Sequence, residues 1–128
     1  MPHCIKSIAV AILVTHAGVA CGEEDDGKIA FNNHCRTCHS FKQGDNRLGP
    51  SMFAIFGARA GQVSGYGAYS GGLAGVRWDE ATLDRFIADP MSVSPNTNMN
   101  SPPVLDAAER RKIIAFLKTL KTPSSLRD

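Results

Sequence analysis

The chain has 128 residues, 43% hydrophobic and 20% charged, with a formal net charge of +2. That length suits one folded domain, and the balance excludes disordered and collagen-like chains. A near-neutral charge without a clustered basic face excludes a protein that works by neutralising phosphates, so no nucleic-acid partner is expected.

Residues 1–20 read as a signal peptide. Lys6 supplies a positive start, residues 8–14 form an unbroken apolar run, and Gly18-Val19-Ala20 ends in the small residues that a signal peptidase accepts. The segment 7–20 contains His16 and falls short of the ~20 apolar residues that span a bilayer. Export to a periplasmic or other extracytoplasmic space follows. Cys21 directly after the cut offers a second reading, acylation and a lipid tether, although the preceding residues lack the usual leucine. Membrane association is expected only by that route. The acidic run Glu23-Glu24-Asp25-Asp26 then closes a short spacer over 21–26, or starts a helix, since carboxylates favour the positive end of the helix dipole.

A helix is predicted over about 25–33, capped by Asp25 or Asp26 and presenting Ile29, Ala30 and Phe31. It runs into Cys35-Arg36-Thr37-Cys38-His39. A polar loop over 42–47 and the turn Leu48-Gly49-Pro50 come next, then a short helix over 51–56 stopped by Gly57. Residues 61–75 are too rich in glycine for a regular element. Asp79 caps a second helix carrying Leu83, Phe86 and Ile87, with Pro90 as its stop and a loop over 91–103. The last helix starts with a capping box, Asp106 and Glu109, carries Ile113, Ile114, Phe116, Leu117 and Leu120 as one stripe, and is ended by Pro123. No strand alternation of any length occurs, so the fold class is all-α, three to five helices joined by long loops. A loop region of that length in a small domain needs something to organise it.

The run at 35–39 is C-x-x-C-H, the signature of covalent c-type haem attachment. Two thiols at this spacing reach two vinyl groups on one porphyrin edge, and the next residue falls under the ring, where its imidazole meets the iron. His39 is therefore the expected proximal ligand. Other readings compete. Zinc would need four ligands, a thioredoxin-like pair wants its motif after a strand in a βαβ unit, and a plain disulfide would use only the cysteines.

From about Gly27 to Leu120 the chain resembles class I cytochromes c. Gly27 and Phe31 resemble the residues by which that family's first helix crosses its last, here at Phe116 and Leu117. Gly49-Pro50 resembles the pair whose proline carbonyl accepts a hydrogen bond from the haem histidine. Phe56-Gly57, Gly61-Gln62, Gly65-Tyr66 and Tyr69 look like the loop below the haem, and Trp78 like the tryptophan that bonds a propionate. Asp89-Pro90, Pro95, Thr97 and Met99 match the loop that presents the sixth ligand, so the resemblance makes Met99 that ligand, ahead of Met52 and Met91. Three positions depart from the pattern. Ala58 and then Arg59 follow Phe56-Gly57, Phe86 stands where relatives often have tyrosine, and Ser101-Pro102-Pro103 replaces an aromatic.

The resemblance implies a cytochrome c domain over 27–121 with a tail at 122–128, wrapped around one covalently bound haem c. The haem is held by Cys35 and Cys38, ligated by His39 and Met99, and enclosed by Pro50, Tyr66, Tyr69, Trp78, Phe86 and Thr97. It further implies a monomeric one-electron carrier, not an enzyme, between redox proteins of a respiratory or photosynthetic chain, such as a membrane oxidoreductase complex. A cytochrome subunit of an oxidoreductase is the alternative. Arg36, Lys42, Arg47 and Arg59 are expected to form at most a modest basic patch.

Overall fold

A computed structural model describes residues 20–121; the signal-peptide reading and Pro123 lie outside them. Among the described residues there are four helices, α1 (Ala20–His34), α2 (Glu80–Ala88), α3 (Pro90–Val93) and α4 (Ala107–Thr119). Among the described residues the only bridge outside them pairs Arg59 with Arg77, so the all-α expectation holds.

Helix α1 is longer than the sequence predicts. It extends back to Ala20, which puts the acidic run inside its first turns and displaces the expected cap at Asp25 or Asp26. Glu23 in the first turn meets the positive end of the dipole. One face of α1 buries Ala30 and Phe31 against Ile113, Ile114, Phe116 and Leu117 of α4. The crossing closes over Gly27. A Cβ there would stand 2.7 Å from the Lys112 carbonyl oxygen and 2.8 Å from Phe116 Cβ, so only glycine lets the helices approach this closely. Phe31, Phe41 and Phe116 fill the remaining space as a triangle of rings with centroids 5.4–5.7 Å apart, in edge and tilted arrangements that favour the ring quadrupoles.

The long stretch between α1 and α2 is held by scattered backbone bonds. Gly57 N–H donates to the Trp78 carbonyl at 2.7 Å, Trp78 N–H to Ala58 at 2.9 Å, and Ala60 N–H to Val76 at 2.9 Å. The short helix expected over 51–56 does not form. Met52 and Ala54 give their N–H groups to the distant carbonyls of Ser40 and Leu120, both at 2.8 Å. The Ser51 hydroxyl donates to the Lys42 carbonyl at 2.6 Å and accepts from Phe53 N–H at 3.2 Å. With its donors committed elsewhere the segment turns instead, and Ala54 takes φ +54°.

Caps fix the remaining helices. Asp79 accepts from Thr82 N–H at 2.8 Å and starts α2 as expected. Pro90 does end α2, but it also begins α3 at the first helical position, with Asp89 as cap accepting from Met91 N–H at 3.1 Å. One residue thus serves two helices. Asp106 caps α4 through Ala108 N–H at 2.7 Å. The capping box is half made: Glu109 turns away to Lys112 Nζ at 3.0 Å and His34 Nε2 at 3.5 Å, linking α4 to the end of α1. Arg110 locks α4 to α2. Its Nε donates to Asp84 at 2.8 Å and its Nη1 to the carbonyls of Val104 and Leu105 at 2.9 and 2.8 Å.

Candidate functional site

The cysteine motif continues the line of α1. Cys35 N–H donates to the Phe31 carbonyl at 2.8 Å and His39 N–H to the Cys35 carbonyl at 2.9 Å, so one turn of chain carries both thiols and the imidazole. All three side chains line a cavity of about 370 Å³. Pro50, Tyr66, Tyr69, Trp78, Phe86, Thr97 and Met99 line the same cavity, although they come from segments far apart in sequence.

His39 is 8% exposed. Its Nδ1 lies 2.8 Å from the Pro50 carbonyl oxygen, which can only accept, so Nδ1 carries the proton and Nε2 is left with its lone pair. Burial lowers its pKa and the bond to Pro50 opposes that in part, which keeps the ring neutral, as a metal ligand must be. Gly49 makes this geometry attainable. A Cβ at that position would overlap His39 Cε1 and stand 2.6 Å from Nδ1. No bulkier residue fits behind the ring.

Cys35 and Cys38 are both free thiols. Burial, and then the neighbouring Cys38, push the Cys35 thiol up to about 12, far from the lowered values of thioredoxin-type nucleophiles. Zinc lacks its ligands, because no group of three or more His, Cys, Asp or Glu is gathered among the described residues.

Another part of the lining comes from the loop around Met99. Met99 N–H donates to Thr97 Oγ1 at 3.1 Å, and Asn98 ties the loop to the glycine-rich segment through Ser70 Oγ at 3.0 Å and the Ala68 carbonyl at 2.9 Å. Of the other described methionines, Met91 is exposed and does not line the cavity, while Met52 does. Tyr66 donates its hydroxyl to the Leu48 carbonyl at 2.7 Å, and the Tyr69 hydroxyl accepts from Val63 N–H at 3.2 Å. The two rings meet edge to face at 4.8 Å, and burial raises the Tyr69 pKa. Trp78 packs edge to face on Phe86, also at 4.8 Å.

Among the described residues no Lys, Arg, Asp or Glu lines the cavity. Arg59 is exposed and outside it, and Arg77 gives its guanidinium to the Gly57 carbonyl at 2.6 Å. Sequence reasoning did not single out Leu48, Ile55, Leu73, Asn98 or Ser70 as lining residues. Of these, Asn98 alone carried a signal, being next to Met99 in the ligand loop.

This donor set suits a haem. A neutral imidazole with a free Nε2, two thiols, a thioether and an indole line one largely apolar cavity, which is the set that attachment, ligation and a propionate contact would use.

The comparisons agree. The cytochrome c family model matches residues 24–121. The chain is 36% identical over 88 residues to cytochrome c2 iso-2 of Magnetospirillum molischianum, covering 68% of this chain and 91% of that protein. To cytochrome c of Euglena viridis it is 34% identical over 102 residues, 78% of this chain and 99% of that protein. Among solved structures, cytochrome cH from Methylobacterium extorquens superposes with a TM-score of 0.68 at 38% identity, covering 75% of this chain and 97% of that one. With the folded region matched almost throughout and the relatives covered nearly end to end, the chain belongs to the cytochrome c family: it is an electron carrier rather than an enzyme, with one covalently bound haem c.

Proposed function

We propose that this carrier works outside the cytoplasm as a monomer, shuttling electrons between redox proteins that include a membrane oxidoreductase complex. Cys35 and Cys38 form the two thioethers, and His39 and Met99 are the axial ligands. Cys21 is the residue that would take a lipid tether. When bound, the haem supplies an iron that alternates between ferric and ferrous states.

The chain's own residues set how that happens. His39 and Met99 would hold the iron between them, which would leave no coordination site for a substrate and make transfer outer-sphere. Pro50 holds His39 in the tautomer that ligates and increases its basicity. Met99, a thioether, favours the reduced form and raises the potential. Ile55, Leu83 and Leu117 line the cavity with apolar surface and would keep water from a group held there, disfavouring the additional charge of the oxidised form. The near-neutral surface makes partner association brief and weakly dependent on salt.

The observation that carries this reading is the 2.8 Å bond from His39 Nδ1 to Pro50, which aims the free nitrogen of a neutral imidazole into a cavity shared with both cysteines and Met99. Optical spectra of the protein purified with its haem, oxidised and then reduced, with and without carbon monoxide, test it. Six-coordinate spectra unchanged by carbon monoxide support the assignment of Met99; carbon monoxide binding to the reduced protein at once refutes it.

A further inference from the structure

The peptide unit between Pro50 and Ser51 carries a hydrogen bond at each end. Its carbonyl oxygen accepts from His39 Nδ1 at 2.8 Å, and its N–H, that of Ser51, donates to Asn46 Oδ1 at 2.9 Å. The same Asn46 amide donates from Nδ2 to the Ser64 carbonyl at 3.0 Å, so its two partners fix which way round it lies. Four polar groups are thus joined head to tail: the His39 ring, the 50–51 peptide, the Asn46 amide and the Ser64 carbonyl. The local fold brings them into line. Arg47 N–H donates to the Gly49 carbonyl at 2.9 Å and Gly49 N–H to the Cys38 carbonyl at 2.8 Å, which turns the chain so that the Asn46 side chain meets the backbone five residues on. Ser51 is only 2% exposed, and its hydroxyl is committed to the Lys42 carbonyl, so water has little access to the middle of the chain.

We propose that Asn46 is a positioning residue for the iron ligand, and that its bond to Ser51 N–H polarises the Pro50 carbonyl and so lowers the reduction potential. Within one peptide unit the N–H and the carbonyl share π electrons, so an acceptor at the N–H leaves more negative charge on the oxygen. Such an oxygen draws the Nδ1 proton more strongly, which makes Nε2 the better electron donor and favours ferric over ferrous iron. Bonds in a chain of this kind strengthen one another by about 10–30% each. Asn46 thereby acts on the imidazole without touching it. The redox effect rests on His39 as the iron ligand, proposed above; the chain of hydrogen bonds does not.

The test uses the intact holoprotein. The proton on His39 Nδ1 is followed by nuclear magnetic resonance in the reduced form, with midpoint potential and Tm measured alongside. Asn46→Ala removes both amide bonds; its Nδ1–H resonance should move upfield and its potential rise by at least about 18 mV, a twofold change at 59 mV per tenfold. Asn46→Leu, close to asparagine in volume, removes the same bonds without leaving a void and carries the test if the alanine variant does not fold. Asn46→Asp still accepts from Ser51 N–H but cannot donate to Ser64. It should therefore lose stability as the alanine variant does, while its Nδ1–H stays at or downfield of the wild-type position and its potential does not rise. Gln43→Ala, at an exposed uncharged residue of the same loop, should leave all three readings unchanged. An unmoved Nδ1–H in Asn46→Ala or Asn46→Leu overturns the proposal. So does a shift of equal sign and size in the alanine and aspartate variants, which would make Asn46 a tie between loops and nothing more. A moved Nδ1–H with an unmoved potential overturns the redox effect, while the ligation of His39 is read separately from the wild-type optical spectrum.

Discussion

Replacing Gly49 by alanine tests the support of the iron ligand without touching a ligand. The added methyl would overlap His39 Cε1 and come within 2.6 Å of Nδ1 and 2.9 Å of Nε2, distances no carbon contact sustains. His39 is buried and cannot swing into solvent, so either the ring tilts and loses its 2.8 Å bond to Pro50 or the 47–50 turn moves outward. Losing the bond costs about 0.5–1.5 kcal/mol and overpacking a filled site about 1–3 kcal/mol. Together these give roughly 1.5–4.5 kcal/mol, or a fall in Tm of about 6–36 °C for a domain of this size. The assay is thermal unfolding of the holoprotein followed at its haem absorbance, with the midpoint potential measured alongside; the potential should shift because the imidazole's orientation and basicity change. Gly67→Ala is the control, since a Cβ there meets nothing within 4 Å. If Gly49→Ala melts together with Gly67→Ala and keeps the wild-type potential, the close packing of Gly49 on His39 is not what holds the ligand.

Other substitutions probe other parts of the account. Met99→Ala should open one axial position, so that the reduced protein binds carbon monoxide and its potential falls; Met91→Ala, at an exposed side chain, should change neither reading. Arg110→Ala removes donors to Asp84, Val104 and Leu105 together and should destabilise the fold by about 2–3 kcal/mol in denaturant unfolding, with the optical spectrum of the folded protein unchanged. Asp79 and Asp106 are held below their ordinary carboxylate value of 3.8 by the backbone N–H groups they accept from. Their contribution is therefore complete above pH 3.8 and is lost as pH falls through the lower folded values, and Asp106→Asn should flatten that part of a plot of Tm against pH.

What the sequence made legible was local. The Cys35-to-His39 spacing, the Asp79 and Asp106 caps and the apolar stripe of α4 each depend on residues within a few positions, and the structure places them as the spacing requires. Gly27 and Gly49 were readable only through the family resemblance, since nothing local reveals that a helix carbonyl and an imidazole press on them from far along the chain. The misread segment at 51–56 shows the opposite failure. Its composition permits a helix, but Leu120 takes the Ala54 N–H that the first helical turn would need, and Leu120 is not visible from within the segment. Glu109 likewise had a sound local partner in the capping box and gave it up for His34 and Lys112 once α1 came alongside.

The most direct measurement is peptide mass spectrometry on the coloured protein after acidified-acetone extraction. Haem retained on the fragment containing Cys35 and Cys38, and lost from it only after chemical cleavage of thioethers, is the outcome required by stapling at these two positions. A fragment with both thiols free, together with pigment that passes entirely into the organic phase, would contradict it.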